Sequence, residues 1–471
     1  MISNMTGQYR FSVFLAALLL WSPLLAQKPG LEGSWEGALA AGGGKLRIRF
    51  HFTQAEGKWS AKMDSPDQGA FGLAVSEMSV DGNTVALKMP QFGITFDGAL
   101  DASGLVIKGK FVQGGAIDLE LKKIDAAAAS AAPKRPQTPT KPFPYQEFEV
   151  AFPNKADSIT LAGTLTKPQG NGPFPAVILI TGSGPQDRDE SLMGHKPFWI
   201  LADYLTRKGI AVLRYDDRGI GQSTGQFPLA TTADFAKDAA AAVDYLKTRS
   251  EIDPKRIGLL GHSEGGVVAP MVATTRNDVA FVVLLAGTAV PGEQILYEQG
   301  AAIAMANGAT SEAAAMQKII QENLFRVLKE EPDPVAAEAK LRKAMGNAPS
   351  PEAQIKQINS PWFRYFLTYD PAVTFAKMRN TPVLALFGEK DLQVLASQNR
   401  GPLEAALKKS GNKDVTITVM PGLNHLFQTA QKGSPSEYAT IEETMSPAAL
   451  ETMATWIRQR TGLEPKAAAP R

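Results

Sequence analysis

Apolar and polar positions alternate strictly in the first part of the chain. Leu46, Ile48, Phe50 and Phe52 alternate with Arg47, Arg49 and His51, the period-two pattern of a strand with one buried face. Turn signals recur at short spacing: Gly42-Gly43-Gly44, Glu56-Gly57, Asp81-Gly82-Asn83, Asp97-Gly98 and Gly114-Gly115. Short strands between such turns predict a small all-β barrel or sandwich over residues 29–124. Gly33-Ser34-Trp35-Glu36-Gly37 opens it and Trp59 sits on a second strand. The segment shows no catalytic constellation.

The pattern changes at 125. Ala126 to Ala132 is nearly all alanine, and Pro133, Pro136, Pro139, Pro142 and Pro144 follow, which predicts a semi-extended linker over 125–144. From 145 onward, short apolar runs alternate with helical patterns. Ala176–Ile180, Gly209–Arg214, Ile257–Leu260, Val279–Leu285 and Val383–Phe387 read as strands buried on both faces. Val415–Val419 alternates with threonine and belongs nearer an edge. Phe235, Ala239, Ala242, Val243 and Leu246 share one helical face, with Thr231 and Asp234 spaced as a capping box. Ser446-Pro447 starts a last helix, striped by Leu450, Met453 and Ile457 and stopped at Gly462. The alternation predicts a mostly parallel sheet with helices on both faces, over 145–462. Residues 291–375 hold no good strand and predict an inserted helical cap. Its helices are Ser311–Leu328, with Met316, Ile320, Leu324 and Val327 on one face, and Pro334–Met345. An aromatic cluster, Pro361 to Phe366, closes it. Residues 463–471 read as a disordered tail.

The first residues read as a secretory leader. Arg10 closes a polar start, Phe11 to Ala26 is almost wholly apolar, and Gln27-Lys28-Pro29 follows. Cleavage after Ala26 would leave a periplasmic or secreted protein with no stable membrane span; a retained anchor is the alternative. A length of 471 residues leaves room for two domains besides the leader. Net charge of +2 gives no reason to expect a nucleic-acid partner. The absence of cysteine excludes disulfides, thiolate metal sites and a cysteine nucleophile.

The sharpest chemical signal is Gly261-His262-Ser263-Glu264-Gly265, directly after a buried strand and before a helix-compatible stretch. A tight strand-to-helix turn there lifts the Ser263 hydroxyl above the sheet, and the flanking glycines permit the turn. The helix start gathers backbone N–H groups beside a developing oxyanion. A serine nucleophile needs a base, and the chain has four histidines: His51, His195, His262 and His425. His51 lies in the β segment, and the His262 side chain should point away from the serine. His425, in Pro421-Gly422-Leu423-Asn424-His425 after a late strand, stands where the order Ser…Asp…His puts a base, with His195 as the fallback. Asp391, in Gly388-Glu389-Lys390-Asp391 at a strand's C-terminal end, is the expected orienting acid, with Glu389 its rival. Oxyanion donors are expected at the N–H of Glu264 and in Thr181-Gly182-Ser183-Gly184-Pro185, at Ser183 first and Gly184 second. No Gly-Lys-Ser/Thr follows that loop, which argues against a phosphate cradle. Gln186 to Asp189 reads as an ion-pair knot, and Tyr215 to Ser223 as a braced turn beside the site. Trp362, Phe363 and Tyr365 could line an acyl pocket, and plain cap packing is an equal reading.

These motifs resemble the bacterial α/β-hydrolases of the serine aminopeptidase-like superfamily. The elbow, the loop Gly182 to Asp189, the turn Asp217 to Gly221 and Gly388 to Asp391 carry the resemblance. Among them the chain is most similar to exported esterases with an N-terminal lipocalin-like β-domain. The resemblance implies the α/β-hydrolase fold with a helical cap behind a small β-barrel, the triad Ser263–Asp391–His425, and hydrolysis of small-molecule carboxylic esters with short acyl chains. It implies no cofactor or metal. A serine aminopeptidase or acyl-peptide hydrolase would use the same triad, with Glu312 or another cap acid anchoring a peptide terminus. A non-catalytic ligand-binding protein is the alternative of another class.

Overall fold

The computed structural model describes residues 30–41, 44–66, 70–113, 115–125, 134–346 and 351–464. The leader, the alanine run of the linker and all but the first two residues of the expected tail lie outside them. Among the described residues, no helix is long and apolar enough to cross a membrane.

The alternating N-terminal segment forms nine antiparallel strands: β1 (Gly33–Ala41), β2 (Gly44–Ala55), β3 (Lys58–Ser65), β4 (Ala70–Ala74), β5 (Glu77–Asp81), β6 (Thr84–Met89), β7 (Ile94–Leu100), β8 (Val106–Gln113) and β9 (Ala116–Ile124). They make one sheet in the order β4-β3-β2-β1-β9-β8-β7-β6-β5. Its edge strands, β4 and β5, are consecutive in sequence, joined only by Val75 and Ser76. The Val75 N–H donates to the Ala61 carbonyl at 3.2 Å and the Ser76 N–H to the Lys88 carbonyl at 3.0 Å. Two residues reach only about 11 Å across three steps, so the sheet must curl until its edges nearly meet. The inward set, Trp35, Phe50, Phe52, Phe96 and Phe111, forms the core. The Trp35 indole donates to the Leu31 carbonyl at 2.7 Å, which satisfies its one buried polar group.

The second domain has an eight-stranded sheet. Its strands are β10 (Tyr145–Asn154), β11 (Ile159–Pro168), β12 (Phe174–Ile180), β13 (Ala211–Tyr215), β14 (Ile252–His262), β15 (Val282–Leu285), β16 (Val383–Gly388) and β17 (Val415–Met420). The order is β10-β11-β13-β12-β14-β15-β16-β17, parallel from β13 onward. The expected strands are all present. The apolar-run reading passed over the antiparallel hairpin β10–β11, because half of β10 faces solvent and its apolar positions alternate. From β12 the chain moves to β13 on one side and returns to β14 on the other. The crevice of such a sheet opens at that reversal, beyond the C-terminal strand ends. Helices α1 (Pro197–Arg207), α2 (Thr232–Lys247) and α3 (Gly265–Thr275) pack in this half. Asp234 accepts the Thr231 N–H at 2.9 Å at the start of α2, as the capping spacing predicts.

Six helices fill the expected cap: α4 (Gly292–Ala306), α5 (Ser311–Glu330), α6 (Pro334–Met345), α7 (Pro351–Ile358), α8 (Pro361–Thr368) and α9 (Pro371–Phe375). After it, α10 (Ala396–Ser410) follows β16 and α11 (Pro447–Arg460) ends the domain. The predicted apolar face of α5 is only in part the face it packs: Leu324 and Val327 rest half-buried against the cap core. Met316 and Ile320 are 59% and 53% exposed, whereas Ala314, Phe325 and Leu328 are buried, roughly a third of a turn round the helix. Alanine and aromatic positions that touch the neighbouring cap helices outweigh the longer aliphatic stripe. The end of the linker also departs from a free spacer. The Arg135 guanidinium donates to the carbonyls of Met193 (2.7 Å), Ala439 (3.1 Å) and Ile441 (3.1 Å), pinning it to the second domain.

The cores of the two sheets share no residue. Trp35→Ala is therefore expected to destabilise the first domain by about 3–5 kcal/mol and leave the second untouched. Denaturant titration of the full chain should show an earlier transition through which the second domain stays folded.

Candidate active site

The buried strand β14 ends at His262, and Ser263 stands in the left-handed region with φ of 51°. For a residue with a Cβ, that conformation costs roughly 1–3 kcal/mol and persists only when its surroundings enforce it. Here they do. The Ser263 N–H donates to the Leu285 carbonyl at 2.8 Å, and the Gly266 N–H to the Ser263 carbonyl at 2.9 Å. A methyl group at Gly261 would strike the Gly265 carbonyl, one at Gly265 the Ile180 carbonyl, and one at Gly266 the Gly287 Cα. The three glycines are thus demanded by close backbone packing between β12, β14 and the loop after β15. Gly182, in the loop after β12, lies against Ser263; a Cβ there would be 3.3 Å from the serine Cβ.

Two further loops converge on this point. Asp391 follows β16 and His425 follows β17. The Nδ1 of His425 lies 2.8 Å from Asp391 Oδ2, with the aspartate 2% and the histidine 5% exposed. Asp391 is fixed in turn, since its Oδ1 accepts the N–H groups of Gln393 at 2.8 Å and Val394 at 2.9 Å. A carboxylate at Nδ1 leaves Nε2 as the nitrogen able to receive a proton. The fully buried Asn424 shapes the histidine's loop, its Oδ1 accepting the N–H groups of Leu426 (3.1 Å) and Gln428 (2.9 Å).

His262 links these pieces. Its Nε2 donates to the His425 carbonyl at 3.0 Å, and the two rings lie 4.8 Å apart. Its Nδ1 is 2.8 Å from Glu190 Oε1, which also accepts the Gly182 N–H at 2.8 Å. Both partners of the ring are acceptors, so both nitrogens donate and the ring is an imidazolium. Burial alone would lower its pKa, but the charge and hydrogen bond of Glu190 hold it above the ordinary histidine value. His262 thus ties the loop of His425 to the elbow. Sequence reasoning assigned no role to Glu190. In the chain it is only the last acid of Asp187-Arg188-Asp189-Glu190.

Residues 198–429 match the family described as Serine aminopeptidase, S33, a stretch that contains Ser263, Asp391 and His425. Among curated proteins, Esterase EstD of Thermotoga maritima is 32% identical over 282 residues, which cover 59% of this chain and 61% of the esterase. Thiohydrolase apmlB of Arthrinium phaeospermum is 32% identical over 137 residues, 29% of this chain and 41% of that protein. The chain thus spans less than two thirds of the length of either relative. Among solved structures, the α/β hydrolase GrgF from Penicillium superposes with a TM-score of 0.45 at 16% identity, over 67% of this chain and 99% of that one.

Over residues 198–429 the second domain is similar to the serine aminopeptidase family.

Other expectations for the second domain divide. His195, the fallback base, is fully buried with both nitrogens engaged. Nδ1 meets Thr444 Oγ1 at 2.8 Å, and Nε2 meets the Tyr438 carbonyl at 2.9 Å. Burial lowers its pKa to about 4, so it is a neutral structural ring. Glu389 accepts the Gly422 N–H at 2.8 Å and braces the loop before His425 instead of facing the imidazole. Phe363 packs in the cap core with Phe325, Leu328 and Ile355, the plain packing reading. Tyr365 is half-buried and stacked on Tyr369 at 5.2 Å, and Trp362 donates from its indole to Glu264 Oε1 at 2.7 Å. Glu312 is exposed at the start of α5 and hydrogen-bonded by its neighbour Ser311 at 3.2 Å. The ion-pair knot is present: Arg188 pairs with Asp216 at 2.8 Å and also with Glu149, and Asp189 with Arg214 and Lys196. The neighbouring turn is braced, Asp217 accepting Thr181 Oγ1 at 2.8 Å and the Gln186 N–H at 2.9 Å. Burial raises the Asp217 carboxyl to about 8. Among the described residues, no group of three or more histidines and carboxylates is placed to hold a metal ion.

A second serine–histidine–aspartate line escaped the sequence reading. In the first domain, Ser34 Oγ is 2.8 Å from His51 Nδ1, and His51 Nε2 is 2.7 Å from Asp64. Ser34, however, lies in an extended strand paired on both sides with β2 and β9. Its backbone is committed to the ladders, so no N–H groups gather for an oxyanion. The line is a cross-strand polar ladder.

The raised His262 pKa has a pH consequence. Its contribution to stability is fully present below the unfolded value of 6.5 and is lost as pH rises through the folded value. Glu190→Gln removes the charge that sustains it. The stability difference between wild type and Glu190→Gln is therefore expected to be largest near pH 6 and to shrink as pH is raised, measured by denaturant titration.

Proposed function

We propose that the protein is an exported serine hydrolase that cleaves carboxylic esters of small molecules, with short acyl groups, through an acyl-enzyme on Ser263. The observation that carries this reading is the His425–Asp391 pair, whose histidine loop is tied through His262 to the left-handed elbow of Ser263. The esterase named among the relatives supports the choice of bond.

In this reading, His425 Nε2 removes the Ser263 proton as the hydroxyl oxygen attacks the ester carbonyl, and Asp391 stabilises the imidazolium. The tetrahedral oxyanion is held by the Glu264 N–H at the first turn of α3 and by an N–H from the loop after β12. Gly182 already gives its N–H to Glu190, which leaves Ser183, then Gly184, for that role. The imidazolium returns its proton to the departing alcohol. Water, deprotonated by His425, then attacks the acyl-enzyme, and the carboxylic acid leaves as Ser263 regains its proton. No step calls for a metal or organic cofactor. The acyl group lies on the cap side of the elbow, toward Trp362 and Tyr365.

Ser263→Ala is expected to abolish both ester turnover and labelling by a fluorophosphonate probe while the fold is kept. Asp391→Asn should lower kcat by several orders of magnitude, on the order of 10⁴-fold, because the imidazole loses its oriented tautomer. Labelling that persists in Ser263→Ala would reject the nucleophile. Faster turnover of aminoacyl amides than of any ester in a substrate panel would favour a peptidase. No labelling of folded wild type would favour a binding protein. For export, the full chain expressed in a Gram-negative host should appear in the periplasm or medium with Gln27 as its first residue, read by mass spectrometry.

A further inference from the structure

One cavity lies in the seam between the sheet layer and the cap. Thr232, Glu264 and Thr288 line it from the sheet side, and Gly292, Phe366 and Tyr369 from the cap side. Its free space is about 10 Å³, room for roughly one water molecule. Trp362 touches two of its walls. The indole N–H donates to Glu264 Oε1 at 2.7 Å, and the ring stacks on Phe366 with centroids 5.2 Å apart and planes 5° from parallel. Thr232 Oγ1 donates to the same Glu264 oxygen at 2.6 Å. Glu264 is buried and is the chain neighbour of Ser263, so the indole stands where the seam meets the elbow.

We propose that Trp362, held by the Glu264 carboxyl, is a specificity-determining residue that sets the upper length of the acyl chain entering the seam from Ser263. The inference rests on the esterase reading above. A buried carboxyl with a donor from each layer fixes the cap in register on the core. The indole cannot swing aside without leaving that carboxyl short of a donor, so the seam stays closed to a long alkyl chain. The elbow is held separately, through Ser263 N–H to Leu285 and Gly266 N–H to Ser263. Removing the indole should therefore open the seam and spare the nucleophile.

The test compares wild type, Trp362→Ala and Trp362→Phe as purified full-length proteins on acetyl and octanoyl p-nitrophenyl esters. In Trp362→Ala the octanoyl-to-acetyl ratio of kcat/KM should rise about ten-fold or more, the scale on which a pocket discriminates by alkyl bulk. Trp362→Phe keeps a stacking ring but loses the donor, and should shift the ratio the same way by less. Fluorophosphonate should still label Ser263 in both, which shows that the nucleophile is intact. A ratio within about two-fold of wild type in a normally labelled Trp362→Ala overturns the inference alone. Should that variant fail to fold, an unmoved ratio in Trp362→Phe overturns it. Wild type that does not label at Ser263 overturns the esterase reading first, and this inference with it.

Discussion

The site depends on one backbone constraint: a non-glycine residue is forced into the left-handed region where β14 turns into α3. Ser263 holds a positive φ because three glycines around it let neighbouring backbones approach to distances that no Cβ tolerates. The elbow is therefore a property of the packed sheet. Its conformation is secured by hydrogen bonds to β15 and by contact with the carbonyl at the end of β12. That placement raises a hydroxyl over the reversal in strand order, where the loops after β12, β16 and β17 can meet it.

The second requirement is that loops from distant parts of the chain agree in position. A relay of charge and hydrogen bonds accomplishes this. Glu190 receives the Gly182 N–H and the His262 ring, and His262 in turn donates to the carbonyl of His425. One buried ion pair thus ties together the candidate oxyanion loop, the elbow and the histidine loop. Such a pair is costly to desolvate, and its worth lies in the geometry it imposes. On the other side, Glu264 joins the elbow to the cap through Thr232 and Trp362. The two residues flanking Ser263 thus brace opposite walls of the site, and their side chains are as constrained as the serine itself.

Much of this was legible in the chain. Buried parallel strands appear as unbroken apolar runs, and the elbow and Asp391 each sit just after one, while His425 follows the alternating edge strand β17. Their place at the rim followed from strand order alone. The capping box at Thr231 and the bounds of α6 were equally local. What escaped were contacts whose strength arises only on folding. The apolar stripe of α5 ran from Met316 through Ile320 and Leu324 to Val327, yet only its second half packs and the fully buried side runs through Phe325 and Leu328, because the neighbouring cap helices choose the face. Phe363 reads like Trp362 in sequence but turns into the cap core. The hairpin β10–β11 was hidden by its half-exposed alternation.

The sequence by itself determined the two-part architecture, the strand–turn–helix elbow and the three loops that bear reactive side chains, because these rest on local periodicity and on steric demands of adjacent residues. Only the tertiary structure decided which acceptors meet which supporting donors: Glu190 for His262, Glu264 for Trp362. Those pairs join residues 72 and 98 positions apart. Long-range pairing of that kind is set by how layers pack and which groups are shut away from water together, and no pattern along the chain records it.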